Sequence, residues 1–247
     1  MSIFKDYSAY YDMLYKNKDY RSEAEYIHQL IQQQAPNARS ILNLGCGTGN
    51  HDLYLANLGY AVTGIDLSAE MIDLANQKIK GQTGVDLQFQ TGDVRTIRTN
   101  KKYDVVVSLF HVVSYQVSNE DLNAAFATAA AHLAEGGVFI FDCWYGPGVL
   151  TSPPVVRHRV LENGRLRIHR IANPVMHFDE NYVDVNYTIL VVNKEDHSVY
   201  EIEETHKMRY LFTPEVSALS GVHGFRMDYL KGNIFSNEWN ALFVCKK

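Results

Sequence analysis

Cysteine is scarce in this chain of 247 residues: Cys46, Cys143 and Cys245 stand far apart, odd in number and without a C-x-x-C spacing. Neither a disulfide framework nor a zinc site is indicated, and a reducing compartment suits them. Basic residues are outnumbered, 23 Lys and Arg against 28 Asp and Glu, which leaves a net charge of -5 and a pI near 6.0. Binding a phosphate backbone needs clustered Lys and Arg to displace counterions, so DNA and RNA are not expected partners. Long apolar runs are missing as well. No stretch approaches the length of a membrane span, and Met1 to Tyr7 lacks a charged region followed by an apolar one. A cytoplasmic protein with no membrane partner is expected. The ten histidines include no H-E-x-x-H, and no G-x-S-x-G precedes a helix, which removes the commonest metalloprotease and hydrolase signatures.

What is present is an ordinary globular balance, 46% hydrophobic and 21% charged residues, long enough for one large domain or one domain carrying an insertion. The chain is organised around Ile41-Leu42-Asn43-Leu44-Gly45-Cys46-Gly47-Thr48-Gly49, an apolar run that breaks into closely spaced glycines. This reads as a buried strand, a sharp turn and the start of a helix. Glycines there admit positive φ and bring backbone amides close to a ligand. Asp66 closes the next apolar run about twenty residues on, where doubly wound nucleotide folds keep a carboxylate for ribose hydroxyls. A nucleotide-like ligand follows. The G-x-G-x-G spacing brings the third glycine one position early for the dinucleotide fingerprint, and this disfavours a nicotinamide-dependent oxidoreductase.

Along the chain, Tyr7, Tyr11 and Tyr15 share one helical face, and a second helix spans Ser22 to about Gln34. Two readings of the tyrosine stripe stand: core packing, or aromatic faces covering a sulfonium or ammonium. Ser68 is the expected N-cap of a helix ending near Lys80-Gly81, and Val85 to Gln90 the third strand, with Asp93 just beyond it. Tyr103 to Phe110 is the fourth strand. Asn119 or Ser118 caps a helix to Leu133, Gly136-Gly137 breaks it, and Val138 to Phe141 is the fifth strand. From Pro153 the pattern becomes antiparallel: Arg157 to Glu162, an Asn163-Gly164 turn, Arg165 to Ala172, Val183 to Val192 and Tyr200 to Phe212. In the last of these, Tyr200, Ile202, His206, Met208 and Tyr210 share the inward side. An inward His206 is either a satisfied core residue or a catalyst on a roof over the sheet edge. A helix from Thr213 and a closing pair, Arg226 to Leu230 with Asn240 to Val244, complete the chain.

The Gly45 loop with Asp66 resembles the site of class I S-adenosylmethionine-dependent methyltransferases, in which the loop lies against the methionine moiety and the acid binds ribose. In that family an acid in the place of Asp93 accepts from the adenine amine. Enzymes of the family that act on nucleic-acid bases show an Asn/Asp-Pro-Pro-aromatic run after the fourth strand; here Ser108-Leu109-Phe110-His111 stands there, and base methylation loses support. With Tyr10-Tyr11-Asp12-Met13-Leu14-Tyr15, Lys18-Asp19-Tyr20, Glu23-Ala24, Tyr115, Trp144 and His206 in order, the chain is similar over nearly its whole length to the N,N-dimethyltransferases of nucleotide-linked 3-amino-deoxysugars. The resemblance implies an α/β fold, a doubly wound Rossmann-like methyltransferase sheet, mostly parallel with an antiparallel closing strand. Residues 1–152 and 213–247 then form the cofactor-binding domain with a helical N-terminal cap, and 153–212 an inserted antiparallel β layer over the acceptor site.

It also implies S-adenosyl-L-methionine held by Tyr20, Gly45, Gly47, Gly49, Asp66, Leu67, Asp93, Val94 and Leu109, and an acceptor contacted by Tyr15, Trp144, Arg170 and Tyr210. Methyl transfer to an amine needs alignment and an unprotonated nitrogen more than a strong base, so Tyr115, His206 and Tyr15 are the catalytic candidates. No metal is expected, since Asp142 at a strand end has no companion cluster. The run Asp142-Cys143-Trp144-Tyr145 departs from the Glu-Pro-Trp-Trp type of the family and leaves the acceptor open, with a nucleotide amino sugar as the expected partner and another small metabolite, N- or O-methylated, as the alternative. A non-catalytic S-adenosylmethionine-binding protein is the further alternative, and a homodimer stands open.

Overall fold

The computed structural model describes residues 8–230 and 239–247; Tyr7 of the stripe lies outside the described residues. After α1 (Ser8–Leu14), α2 (Tyr20–Gln34) begins two residues before Ser22, because Asp19 serves as its N-cap and accepts the Ser22 N–H at 3.0 Å. Next come β1 (Ser40–Leu44), α3 (Asn50–Asn57), β2 (Ala61–Asp66), α4 (Ala69–Ile79), β3 (Leu87–Thr91) and β4 (Tyr103–Ser108). A 3-10 turn (Val112–Tyr115), α5 (Asn119–His132) and β5 (Leu133–Tyr145) follow. Ser68 caps α4 and Ser118, not Asn119, caps α5, its Oγ accepting the Asp121 N–H at 3.0 Å.

These strands pair in the parallel order β3-β2-β1-β4-β5. Residue parity assigns the two faces. Ile41, Val62, Val105, Val107 and Ile140 pack with α2 and α3, whereas Leu42, Leu44, Val106, Phe139 and Phe141 pack with α5. Both faces of the sheet are covered, as continuous apolar strands require. The glycine pair expected to separate α5 from the fifth strand lies inside β5: Leu133 already pairs with Tyr103, and the register slips across 134–137 before Val138 meets Val105. Gly136 takes a φ of 71° in that bulge.

The rest of the chain forms α6 (Gly146–Thr151), β6 (Arg157–Glu162), β7 (Leu166–His177), β8 (Tyr182–Asn193), β9 (Val199–Leu211), α7 (Thr213–Val222), β10 (Arg226–Leu230) and β11 (Asn240–Lys246). β6 to β9 are an antiparallel meander in sequence order. This layer is hydrogen-bonded to the central sheet, because β9 pairs in parallel with the last residues of β5, Trp144 with Tyr210 and Tyr145 with Leu211. On the other side of β5 runs β11, antiparallel, from Asn240 opposite Trp144 to Lys246 opposite Val138. The carboxyl edge of the parallel strands is thus bounded by β9 and by the beginning of β11. Tyr200, expected inward, is 61% exposed: the cluster around Leu14 covers Ile168, Ile189 and Val191 on β7 and β8 and leaves the start of β9 open. No helix among the described residues is long and apolar enough to cross a membrane.

Candidate active site

At the carboxyl edge the turn after β1 closes on the end of β2. Gly45 N–H and Cys46 N–H both donate to the Ile65 carbonyl, and Gly47 N–H donates to Asp66 Oδ2 at 2.8 Å. Asp66 Oδ1 accepts from Ser68 N–H at 2.9 Å. Burial pushes the Asp66 carboxyl above its ordinary value, with the amides of Ser68, Gly47 and Leu67 opposing. All three glycines of the turn have positive φ, but they do different things. A side chain at Gly49 would meet the Phe89 ring at 2.3 Å and one at Gly45 would meet Val112 at 2.4 Å, while a Cβ at Gly47 would have only Tyr11 Oη near it, at 3.9 Å, an ordinary contact distance. Close approach by a ligand is therefore open at Gly47; Gly45 and Gly49 admit protein side chains.

Gly45, Cys46, Gly47 and Asp66, but not Gly49, line a cavity of about 290 Å³ together with Tyr11, Tyr15, Tyr20, Met71, Leu109, Tyr115, Trp144 and His206. The N-terminal helix is fastened over it. Thr48 Oγ1 donates to Asp12 Oδ1 at 2.8 Å, and Lys78 of α4 pairs with the same carboxylate at 2.8 Å. The stripe members Tyr11 and Tyr15 lie 4.8 Å apart between ring centroids, and both belong to the cavity wall and to the apolar cluster under the β layer. Behind them, Glu23 bridges Lys18 and His51, and although burial raises its carboxyl, these two partners together hold it below the ordinary value. Tyr20 has a buried hydroxyl with no hydrogen bond of good geometry among the described residues, and burial pushes it up to about 12.

The end of β4 supplies residues that the sequence reading missed. Phe110 and His111 both take φ of 66°, a left-handed conformation rare for side-chain-bearing residues and costly in pairs. Asp142 of β5 holds this corner: both its oxygens lie 3.2 Å from the His111 N–H, and Oδ2 lies 2.6 Å from Nδ1. Burial raises the Asp142 carboxyl, yet His111 and Lys18 outweigh it and leave the group below its ordinary value. Asp142 is therefore the partner of His111. Trp239 and Asn240 reach the same cavity because β11 starts there, and no local motif announces them.

On the roof side, Tyr115 Oη lies 2.8 Å from His206 Nδ1, and Trp144 stands between this cavity and a second cleft. Burial pushes the Tyr115 hydroxyl well above its ordinary value. Arg170 lines the second cleft, over the Tyr187 ring at 4.1 Å and 3.5 Å from the Tyr15 hydroxyl.

The methyltransferase domain family matches residues 41–137, which contain the glycine loop, Asp66 and β4. A dTDP-3-amino-3,4,6-trideoxy-α-D-glucopyranose N,N-dimethyltransferase of Streptomyces venezuelae is 30% identical over 92% of this chain and 93% of its own length. The chain is an S-adenosylmethionine-dependent methyltransferase. A dTDP-3-amino-3,6-dideoxy-α-D-glucopyranose N,N-dimethyltransferase of Streptomyces fradiae is 29% identical over 83% of this methyltransferase and 77% of its own length. Among solved structures, DesVI of Streptomyces venezuelae superposes with a TM-score of 0.83 at 27% identity, covering 97% of both chains.

Not every residue implied by the family reaches the methyltransferase cavity. Tyr15, Tyr20, Gly45, Gly47, Asp66, Leu109, Tyr115, Trp144 and His206 line it. Leu67 is 62% exposed beside it, and Val94 packs into the α5 face of the core. Asp93 is not among the lining residues; Arg95 grips both its oxygens and also pairs with Asp121. Tyr210 does face inward, but it is wholly buried among Val149, Val183 and Met208 and lines neither this cavity nor the second cleft.

Proposed function

We propose that this methyltransferase acts on the amino group of a nucleotide-linked deoxysugar held between the glycine loop and the β6–β9 layer. The observation that carries the reading is the cleft beside the cavity, about 200 Å³, whose lining includes Arg157, Arg159 and Arg170 and, among the described residues, no acid. Trp144, Tyr187 and Trp239 line both spaces, so the two are adjacent and share a wall. Three guanidiniums are opposite in charge to a diphosphate and able to bind it bidentately, while the aromatic walls suit the apolar face of a deoxysugar. The relatives named above act on acceptors of this class.

S-adenosylmethionine, when bound, supplies an electrophilic methyl group on a sulfonium. The cavity fits such a cofactor. Asp66 would accept from ribose hydroxyls, because each of its oxygens takes a backbone N–H and keeps a further acceptor site. Tyr20 would offer its buried hydroxyl, and Gly47 a surface without a side chain. The chain's own contribution to the reaction is alignment and exclusion of water: α1 closes one side, the β layer the other, and Tyr115 with His206 faces the acceptor nitrogen. Thymidine diphosphate alone should bind the protein in calorimetry and compete with the acceptor. Arg159→Ala and Arg170→Met should weaken that binding about tenfold or more and leave cofactor affinity intact. Undiminished nucleotide binding in both would remove the diphosphate from the cleft.

A further inference from the structure

Three side chains lead from the cavity into the β layer. Tyr115 Oη is 2.8 Å from His206 Nδ1, and Glu204 Oε2 is 3.1 Å from His206 Nε2. Glu204 precedes His206 by two positions on β9 and so shares its face; its side chain is 8% exposed, and it does not line the cavity. The Tyr187 ring of β8 stands edge-on to the imidazole at 5.0 Å, with Arg170 of β7 over Tyr187 and Tyr15 beyond it. A carboxylate only accepts hydrogen bonds. His206 Nε2 therefore carries the ring hydrogen, Nδ1 accepts the hydrogen of Tyr115, and Tyr115, which lines the cavity, has two lone pairs on its oxygen with which to accept.

We propose that Glu204, acting through His206 and Tyr115, enables the removal of the proton that an acceptor ammonium must lose before each methyl transfer. The inference rests on the reading that the acceptor is an amine. An ammonium nitrogen has no electron pair to attack with. Its N–H proton passes to Tyr115 Oη as the Tyr115 O–H proton passes to His206 Nδ1, and the pair of the broken N–H bond stays on nitrogen. Tyr115 ends uncharged, and the imidazolium lies against the Glu204 carboxylate. The nitrogen pair then forms the bond to the methyl carbon while the carbon–sulfur bond breaks with its pair going to sulfur. The methylated nitrogen is again an ammonium, and once His206 has released its proton to water the same relay prepares a second transfer. Burial holds Tyr115 protonated at rest, in keeping with a conducting hydroxyl in place of a standing tyrosinate.

Glu204 is a positioning residue in this scheme, and Glu204→Gln is the informative change: it keeps an acceptor for the Nε2 hydrogen and removes the charge that favours imidazolium. With full-length enzyme, S-adenosylmethionine and a nucleotide amino sugar, wild-type kcat should vary little from about pH 7 to 9. In Glu204→Gln it should fall about 10- to 100-fold at pH 7 and recover with rising pH, with monomethyl product accumulating and cofactor affinity unchanged. Glu204→Asp should restore part of the loss. Nitrogen-15 spectra of the free protein should place the His206 hydrogen on Nε2. A hydrogen on Nδ1, or a Glu204→Gln enzyme with wild-type pH profile and product ratio, overturns the relay. So does a loss that is equal at every pH, which marks a structural role. A wild-type enzyme that methylates a hydroxyl acceptor and no amine overturns the acceptor reading, and the relay with it.

Discussion

Gly47 N–H donates to Asp66 Oδ2 at 2.8 Å, so the turn after the first strand and the acid after the second are one unit. Replacing Asp66 removes the proposed ribose acceptor and releases the turn at once. Asp66→Ala should weaken S-adenosylmethionine binding by roughly 1.5–3 kcal/mol, the range for a hydrogen bond to a charged group. Titration calorimetry measures this directly, and unchanged affinity would detach Asp66 from the cofactor.

Asp12 ties the N-terminal helix to Thr48 in the loop and to Lys78 on α4. Amide exchange in residues 8–30 should slow when S-adenosylhomocysteine is added, and Asp12→Ala should exchange faster in the same segment. Exchange indifferent to ligand would leave Tyr11 and Tyr15 as packing residues.

Asp52 of α3 is wholly buried, accepts from the Asn43 amide at 2.9 Å, and is pushed by burial from 3.8 to about 7. Between those values the folded state binds more protons than the unfolded one. The stabilising term is therefore fully present below the unfolded value and gone once pH has risen past about 7. Asp52→Asn lacks the term and should gain on the wild type, by roughly 2–4 kcal/mol, as pH goes from 4 to 8. Thermal melts of both proteins across that range check it; parallel curves would refute it.

The parallel half of the fold and its glycine turn were legible because the strand runs are continuous, the helices amphipathic and the caps local. The grip of Arg95 on Asp93, two residues before it, is a contact no spacing reveals. His111 carries no motif, and its left-handed backbone depends on Asp142, which is 31 residues away. Glu204 was within reach, since it has the parity of His206, but between Glu201 and Glu203 and Thr205 it reads as part of a solvated edge. Trp239 and Asn240 arrive only through the antiparallel docking of β11 on β5, a long-range pairing invisible in local periodicity.

Product mass tests the central claim most directly. The enzyme and S-adenosylmethionine are incubated with two acceptors that differ only in an amino or a hydroxyl group on the same nucleotide-linked deoxysugar. The account predicts that the amino sugar gains one and then a second methyl mass while the hydroxyl sugar gains none. Methylation of the hydroxyl sugar with none on the amine would contradict it.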